Sequence, residues 1–257
     1  MKTVDISFIS VLSLLILVIP IVLINMKLKL GITKRTLNAI IRMCLQLLLV
    51  GLFLQYIFEL NHWLINILYV CFMMIVASLS VIKSSTLVLK KYFLVILFAI
   101  IVPNFIVLSY FNYFVIQLDQ IFDAMYLIPV SGMLLGNSLS GIIIGLNKFY
   151  SGIKENEKQY LTSLSLSANR LEAIKPYFKE AILASTNPVL ASLETLGLVS
   201  LPGMMTGQIL GGSLPMVAIK YQIAIMLAIF VSRYFSTIVA IYISSLRAFN
   251  DYDMLAL

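Results

Sequence analysis

The chain has 257 residues, of which 61% are hydrophobic and 11% charged, with a formal net charge of +7. A water-soluble domain carries about 25% charged residues, so composition excludes one and makes this an integral membrane protein. The basic excess does not mark a nucleic-acid binder, because the chain lacks the solvated basic face that binding needs.

Seven apolar stretches follow, each near the roughly 20 residues a helix needs to cross a hydrocarbon core of about 30 Å. The first runs from about Ser7 to Met26. It is longer than the apolar part of a cleaved signal, and Asp5 precedes it where a signal carries cations, so it reads as a retained first helix. The second, Leu37 to Phe58, holds Cys44 together with Arg42 and Gln46. The latter two are four apart and share a helix face, and Arg42 lies near enough to the inner end to snorkel. The third, Trp63 to Ile82, contains Cys71 and opens beside His62, an interfacial anchor pair with Trp63. The two cysteines read as small packing residues, since no cluster has metal-ligand spacing. The fourth, Tyr92 to Phe114, carries Asn104.

The fifth stretch, Ala124 to Leu146, contains Asn137 and two glycine pairs four apart, Gly132 with Gly136 and Gly141 with Gly145. Such pairs let a neighbouring helix approach closely, and ordinary packing is the reading here. Then comes an inner loop, Asn147 to about Glu180, the only sizeable segment outside the apolar runs. Within it Tyr160, Leu161, Leu164, Leu166 and Ala168 fit one face of a short amphipathic helix, and Pro176 interrupts the chain beyond it and is a candidate start for the next helix. That helix either lies passively on the membrane or docks a cytoplasmic partner. The sixth stretch, Ile182 to Leu201, holds Asn187 and, seven residues on, Glu194. The seventh, Ile219 to Leu246, holds Arg233 near its middle.

Ionisable groups at membrane depth are costly and face the interior of a bundle. Glu194 is therefore either the neutralising partner of an arginine, Arg42 or Arg233, or an acceptor for a cation in a transport path. Asn104, Asn137 and Asn187 would add to such a lining. Between the last two stretches, Pro202, Gly203, Met204, Met205, Thr206, Gly207, Gln208 and Gly211 form a run that is too broken for a straight helix. Non-helical backbone at membrane depth persists only inside protein or beside a watery cavity, so a short helix or re-entrant segment at the outer gate is expected.

Charge fixes the orientation. Lys27, Lys29, Lys34 and Arg35, then Lys83, Lys90 and Lys91, then Lys148, Lys154, Lys158, Arg170, Lys175 and Lys179, and finally Arg247 occupy alternate loops. The opposite set holds Glu59, Asp119 and Asp123, with Lys2 and Lys220 as its cations. Positive charge stays inside, which places the N-terminus outside and the C-terminus inside. No phosphate loop, dinucleotide fingerprint, HExxH or G-x-S-x-G is present, so the chain supplies no ATP hydrolysis of its own. Seven helices enclose little of a pathway, which favours a homodimer with the path at its interface.

Two runs carry a family resemblance. The stretch from Gly197 to Gly212, continued by Tyr221-Gln222-Ile223, resembles the signature of the FetB/YbbM-type iron-export permease family, which includes plant aluminium-sensitivity proteins. Pro129 to Asn137 resembles its other hallmark, and Arg42 with Gln46 falls in its polar second helix. The resemblance implies the membrane subunit of an ABC transporter exporting iron or a related metal. ATP and Mg would bind a separate cytoplasmic ATP-binding subunit, and this chain would bind no cofactor itself. It also implies that Tyr160, Leu161, Leu164, Leu166, Ser167 and Ala168 form the coupling helix, with Ser167 where the family has glycine. The expectation is thus an all-α, single-domain permease in the cytoplasmic (inner) membrane. A permease for an organic solute such as a sugar nucleotide, and a membrane scaffold or receptor without transport, are the alternatives.

Overall fold

The computed structural model describes residues 6–85, 87–118, 120–166 and 169–255. Lys2, Asp5, Asp119, Ser167 and Ala168, which enter the sequence reading, lie outside them. The described residues form helices and, apart from two isolated bridges, no strand. The first apolar stretch is α1 (Phe8–Ser13), a 3-10 turn (Leu14–Leu17) and α2 (Val18–Lys27). Next come α3 (Thr33–Leu60), α4 (Trp63–Ser84) and α5 (Leu89–Tyr110), the last prolonged by a π turn (Phe111–Ile116). Then follow α6 (Ala124–Glu155), α7 (Glu157–Ser165), α8 (Arg170–Thr195), α9 (Gly203–Leu210) and α10 (Pro215–Arg247).

The ends of these helices have local causes. Asn61 stops α3 in a left-handed conformation with φ 36°, which an asparagine tolerates. Asp123 caps α6 by accepting from the Met125 amide at 2.8 Å. Asn169 and Glu172 form a reciprocal capping box that starts α8. Pro176 sits inside α8, neither interrupting the chain nor starting the helix as the sequence reading expected.

Among the described residues six helices, against the seven expected, are long and apolar enough to cross a membrane. The expected sixth span, Ile182 to Leu201, is not one helix. It is the second half of α8, which ends at Thr195, followed by a tight turn in which the Gly197 amide donates to the Ser200 carbonyl at 3.0 Å. Gly197 has φ +84°, a conformation that favours glycine. The first half of α8 carries Arg170, Glu172, Lys175, Lys179 and Glu180, which lowers its apolarity. The helix nevertheless runs the length of the bundle. It returns the chain from the end of α6 to the start of α10.

The core is a five-helix bundle of α4, α5, α6, α8 and α10, with α6 and α10 at its centre. Its two ends differ chemically. At one end Asn147 donates to the Ser84 carbonyl at 3.3 Å, Lys148 pairs with Glu180 at 3.4 Å, and Tyr92 donates to the Arg247 carbonyl at 3.4 Å. Lys83, Lys91, Lys148 and Arg247 lie at this end. At the other end Asn61 donates to Asp123 at 3.3 Å, and Asn66 donates to the Phe122 carbonyl at 2.9 Å. The N-terminal helices stand off this bundle. Of their spanning windows 6% and 0% is buried, against 50% in α6. Ile57 and its neighbours near the end of α3 make the contact with α6.

The two glycine pairs of α6 have different surroundings. A Cβ on Gly141 would lie 2.6 Å from the Arg233 Cγ and 2.9 Å from the Thr237 Oγ1, and one on Gly145 would lie 2.7 Å from the Thr237 Cγ2. A Cβ on Gly136 would meet nothing within 4 Å. The packing role expected of both pairs is thus concentrated in Gly141 and Gly145. Gly145→Leu is expected to cost about 2–3 kcal/mol through overpacking, and Gly136→Leu less than about 0.5 kcal/mol. Thermal unfolding of the purified variants in detergent checks this, and equal melting temperatures would refute the tight α6–α10 contact.

Candidate transport path and cytoplasmic coupling surface

The centre of the bundle is polar. Asn104 of α5 accepts from Ser232 at 2.7 Å and from Ser138 at 3.3 Å through its Oδ1. Its Nδ2 donates to the Ile100 carbonyl at 2.7 Å and to Ser236 at 3.3 Å. Ser138 and Ser232 lie 3.0 Å apart, Ser185 and Thr237 3.2 Å, and Tyr150 donates to Ser244 at 2.8 Å. The serines and Thr237 of α10 recur at helical spacing on one face, and their small size admits α5, α6 and α8 close by. Every polar atom of such a seam must find a partner inside the protein, because lipid offers none.

Arg233 lies in this seam, 7% exposed. Its Nε and Nη2 donate to the Ser185 carbonyl of α8 at 3.1 and 2.6 Å. Pro188 lacks the amide that would bond the Ala184 carbonyl, so α8 is opened in the turn where Arg233 docks. No carboxylate neutralises it. The ion pairs among the described residues are Lys148–Glu180 and Arg170–Asp253. The expected Glu194–Arg233 pair is therefore not formed. Glu194 lies nine residues beyond Ser185, about 13 Å along the axis, and is exposed. Arg233 presents a desolvated positive charge surrounded by hydroxyls and amides. It attracts an anion or a polarised oxygen and repels a bare metal cation.

The other sites predicted from sequence are not brought to this seam. Arg42 and Gln46 are exposed on α3, and Asn187 is exposed on the same α8 helix as Glu194. Asn137 is half-buried and donates to the Met133 carbonyl at 2.9 Å, which satisfies it within its own helix. Among the described residues no group of three or more His, Cys, Asp or Glu stands together to hold a metal ion. Sequence reasoning missed Ser138, Ser185, Ser232, Ser236 and Thr237. The signal that could have found Ser232, Ser236 and Thr237 was the run of small polar residues on α10, spaced like Gly141 and Gly145 opposite.

At the basic end, α7 is the short amphipathic helix expected, but its apolar face is mostly covered from within. Tyr160 is buried and donates to the Asp253 carbonyl at 2.7 Å, with its ring 5.8 Å from that of Phe249. Burial, then the nearby Asp253 carboxylate, pushes its hydroxyl up to about 12, so it remains a donor at physiological pH. Arg170 pairs with the Asp253 carboxylate at 3.2 Å and lies over the Phe249 ring at 5.7 Å. Leu161 and Leu164 pack against the same core, whereas Leu166 is 78% exposed. The C-terminal turn, Asn250 to Leu255, thus clasps α7 to the end of α10.

At the opposite end, α9 is the short helix that Pro202 and the glycines Gly211 and Gly212 predict. Gly212 turns the chain with φ +99°, and Thr206 donates to the Pro202 carbonyl at 3.1 Å. Unlike Gly141 and Gly145, its glycines have no neighbouring helix close by. A Cβ on Gly203 or Gly207 would meet nothing within 4 Å, and one on Gly211 only the backbone of its own helix. The contact of α9 with α10 runs instead through Met205, which is buried, while Met204 is half-buried. Gln208 holds its Oε1 away from solvent without a partner.

Comparison with known proteins fits this architecture. The model of the Uncharacterised protein family (UPF0014) matches residues 8–249. A probable iron export permease protein, FetB, of Escherichia coli (strain K12) is 32% identical over 92% of this chain and 90% of its own length. A UPF0014 membrane protein of Synechocystis sp. is 34% identical over 83% of each chain. The protein ALUMINUM SENSITIVE 3 of Arabidopsis thaliana is 40% identical over 41% of this chain and 38% of its own. No solved structure matches the chain. The resemblance read from the Gly197–Gly212 and Pro129–Asn137 runs therefore holds over nearly the whole sequence, and the chain belongs to the UPF0014 family of multi-pass membrane proteins.

Proposed function

We propose that the chain is the membrane subunit of an ABC transporter that exports iron or a related metal ion across the cytoplasmic membrane. It works as a homodimer with two copies of a cytoplasmic ATP-binding subunit, which hold ATP and Mg. The observation that carries the reading is α7. It is a helix braced between α6, α8 and the C-terminal turn, and it ends in an apolar residue left bare at the basic end of the bundle. A rigid element with an uncovered apolar tip is suited to receive force from another protein. The near full-length relative named as a probable iron export permease supports the metal reading.

In this reading α8 also crosses the membrane, which makes seven crossings, the basic end is cytoplasmic and the N-terminus is outside. ATP binding closes the ATPases and displaces α7, and the bundle alternates between two packings. Arg42 and Gln46 on α3, and Asn187 and Glu194 on α8, are exposed at membrane depth. Lipid penalises such groups, so the second copy covers them and the path lies between the copies. The Asn187 and Glu194 oxygens then serve a cation better than the Arg233 seam does. Buried, unneutralised Arg233 favours a second reading, in which the cargo is an anionic organic solute such as a sugar nucleotide. The deciding experiment reconstitutes the chain with its ATP-binding partner in liposomes. Iron(II) should raise the ATPase rate, whereas stimulation by UDP-glucose alone would select the second reading. If no ATPase complex forms, the chain is a scaffold or receptor.

Four variants extend the test. Lys154→Cys should react with an impermeant thiol reagent from the cytoplasmic side only, and labelling from outside would reverse the topology. Leu166→Asp should loosen the ATPase complex at least tenfold in co-purification without lowering the melting temperature. Leu164→Asp should instead destabilise the protein itself, because it buries a carboxylate in the chain's own core. Arg233→Met removes a buried charge and should melt no lower than the parent while transport falls at least tenfold. Full transport by this variant would reduce the arginine to packing.

A further inference from the structure

Three helix faces that meet near Asn61 separate toward the basic end. On α3, Arg42, Gln46, Phe53 and Ile57 recur at helical spacing and share one face. Near Asn61 that face is occupied. The Phe53 ring lies 5.4 Å from the Tyr69 ring of α4, and Ile57 is buried. About two and three turns beyond Phe53, Gln46 and Arg42 on the same face are exposed. On α4, Ser80 shares the face of Tyr69 and Met73 and is exposed as well. Met73 marks the adjoining face of α6, since a Cβ on Gly132 would lie 3.5 Å from its Cε. Gly136 and Ser140 continue that face, both exposed, and a Cβ on Gly136 would meet nothing within 4 Å. A wedge therefore opens between α3 and the α4–α6 pair, closed near Asn61 and widening toward the basic end.

The polar groups of its three walls are level with one another. Counted along each helix from the Asn61 end, Gln46, Ser80, Ser140 and Arg42 lie about 22–29 Å in. Lipid penalises such groups, and three polar walls at one level hold water in place of acyl chains. Arg42 takes part in neither ion pair of the described residues. Ser80 and Ser140 donate to carbonyls of their own helices, at 2.9 and 3.1 Å, and a hydroxyl can turn to a ligand instead. No carboxylate opposes these donors. Helix α4 has no acidic residue, and those of α3 and α6 are Glu59 and Glu155, at the helix ends. A site of donors around a guanidinium suits an oxyanion, which arginine holds through two parallel N–H bonds. Close packing accounts for Gly141 and Gly145 but not for Gly136, whose bare surface leaves room for a ligand against the helix.

We propose that this wedge is a water-filled site for a soluble oxyanion, a solute bearing carboxylate or phosphate oxygens, which Arg42 and Gln46 hold against Gly136, Ser140 and Ser80. Under the transporter reading it is the cytoplasmic entrance of the path and takes the metal as an oxyanion complex. That role, unlike the binding, rests on the proposed function.

Thiol chemistry on the purified full chain in phosphatidylcholine nanodiscs tests this, with Cys44→Ala and Cys71→Ala as background. A thiol in water ionises and reacts, whereas one in lipid stays protonated and inert. Gln46→Cys and Ser140→Cys should react with a charged methanethiosulfonate at least about tenfold faster than Phe98→Cys, an exposed site on α5, which is no wall of the wedge. Excess citrate or inorganic phosphate should slow both reactions about tenfold, and adding Arg42→Met should abolish that slowing. Reaction no faster than at Phe98→Cys would make the wedge a lipid crevice and overturn the site. Water access without protection by either anion, or protection that survives Arg42→Met, would overturn it too. Slowing seen only when phosphatidylglycerol replaces phosphatidylcholine would give the arginine to lipid headgroups and likewise sink the proposal. None of these measurements involves the ATP-binding subunit, so their failure and that of the transporter reading are told apart.

Discussion

The close approach of α6 to α10 governs the rest of the molecule. In lipid there is no hydrophobic force between helices, so association rests on packing and on internal hydrogen bonds. Gly141 and Gly145 remove the side chains that would hold α10 away, and the vacated space is filled by Arg233, Thr237 and Ile241. Only at that separation do Ser138 and Ser232 come within 3.0 Å of each other and Asn104 reach both helices. The polar seam and the placement of its arginine are therefore consequences of two missing Cβ atoms.

The seam combines two roles that pull against each other. As glue, a network of satisfied hydroxyls and amides gives α5, α6, α8 and α10 a specific arrangement. As a site for charge, Arg233 keeps a cation that is costly to hold in the bundle, because its partner is the Ser185 carbonyl and not a carboxylate. A carbonyl dipole satisfies the guanidinium's donors without cancelling its charge. The field of that charge extends to whatever moves nearby, which distinguishes the seam from the neutral Tyr150–Ser244 contact.

Much of this was legible in the sequence, for reasons that mark where legibility stops. Apolar length gave the class and six of the helices. Basic loop alternation grouped the same ends that the bundle brings together at Ser84, Asn147 and Arg247. Proline and glycine spacing gave the short helix α9. Sequence reasoning failed where partner choice is a tertiary matter. Glu194 was a natural counter-ion for Arg233 by charge, but the register of α8 against α10 offers Ser185 instead. Leu164 fits an exposed docking face by periodicity, yet the C-terminal turn that shields Tyr160 nearby has no periodic signature. Gly203 and Gly207 share the spacing of Gly141 and Gly145, and spacing alone says nothing about whether a neighbour is present.

The clasp between α7 and the C-terminal turn has a mechanical meaning. Tyr160 and Arg170 hold Asp253, and through it the end of α10, a single uninterrupted helix of 33 residues. Such a rod is about 50 Å long, and the stretch from Arg233 back to Pro215 is about 27 Å. If it turns about the tight contact at Gly141, a tilt of about 10° set at the Asp253 end sweeps the Pro215 end by about 5 Å, in the opposite sense. The molecule thus has the layout of a first-order lever, with its fulcrum at a glycine and its two arms ending at opposite ends of the bundle.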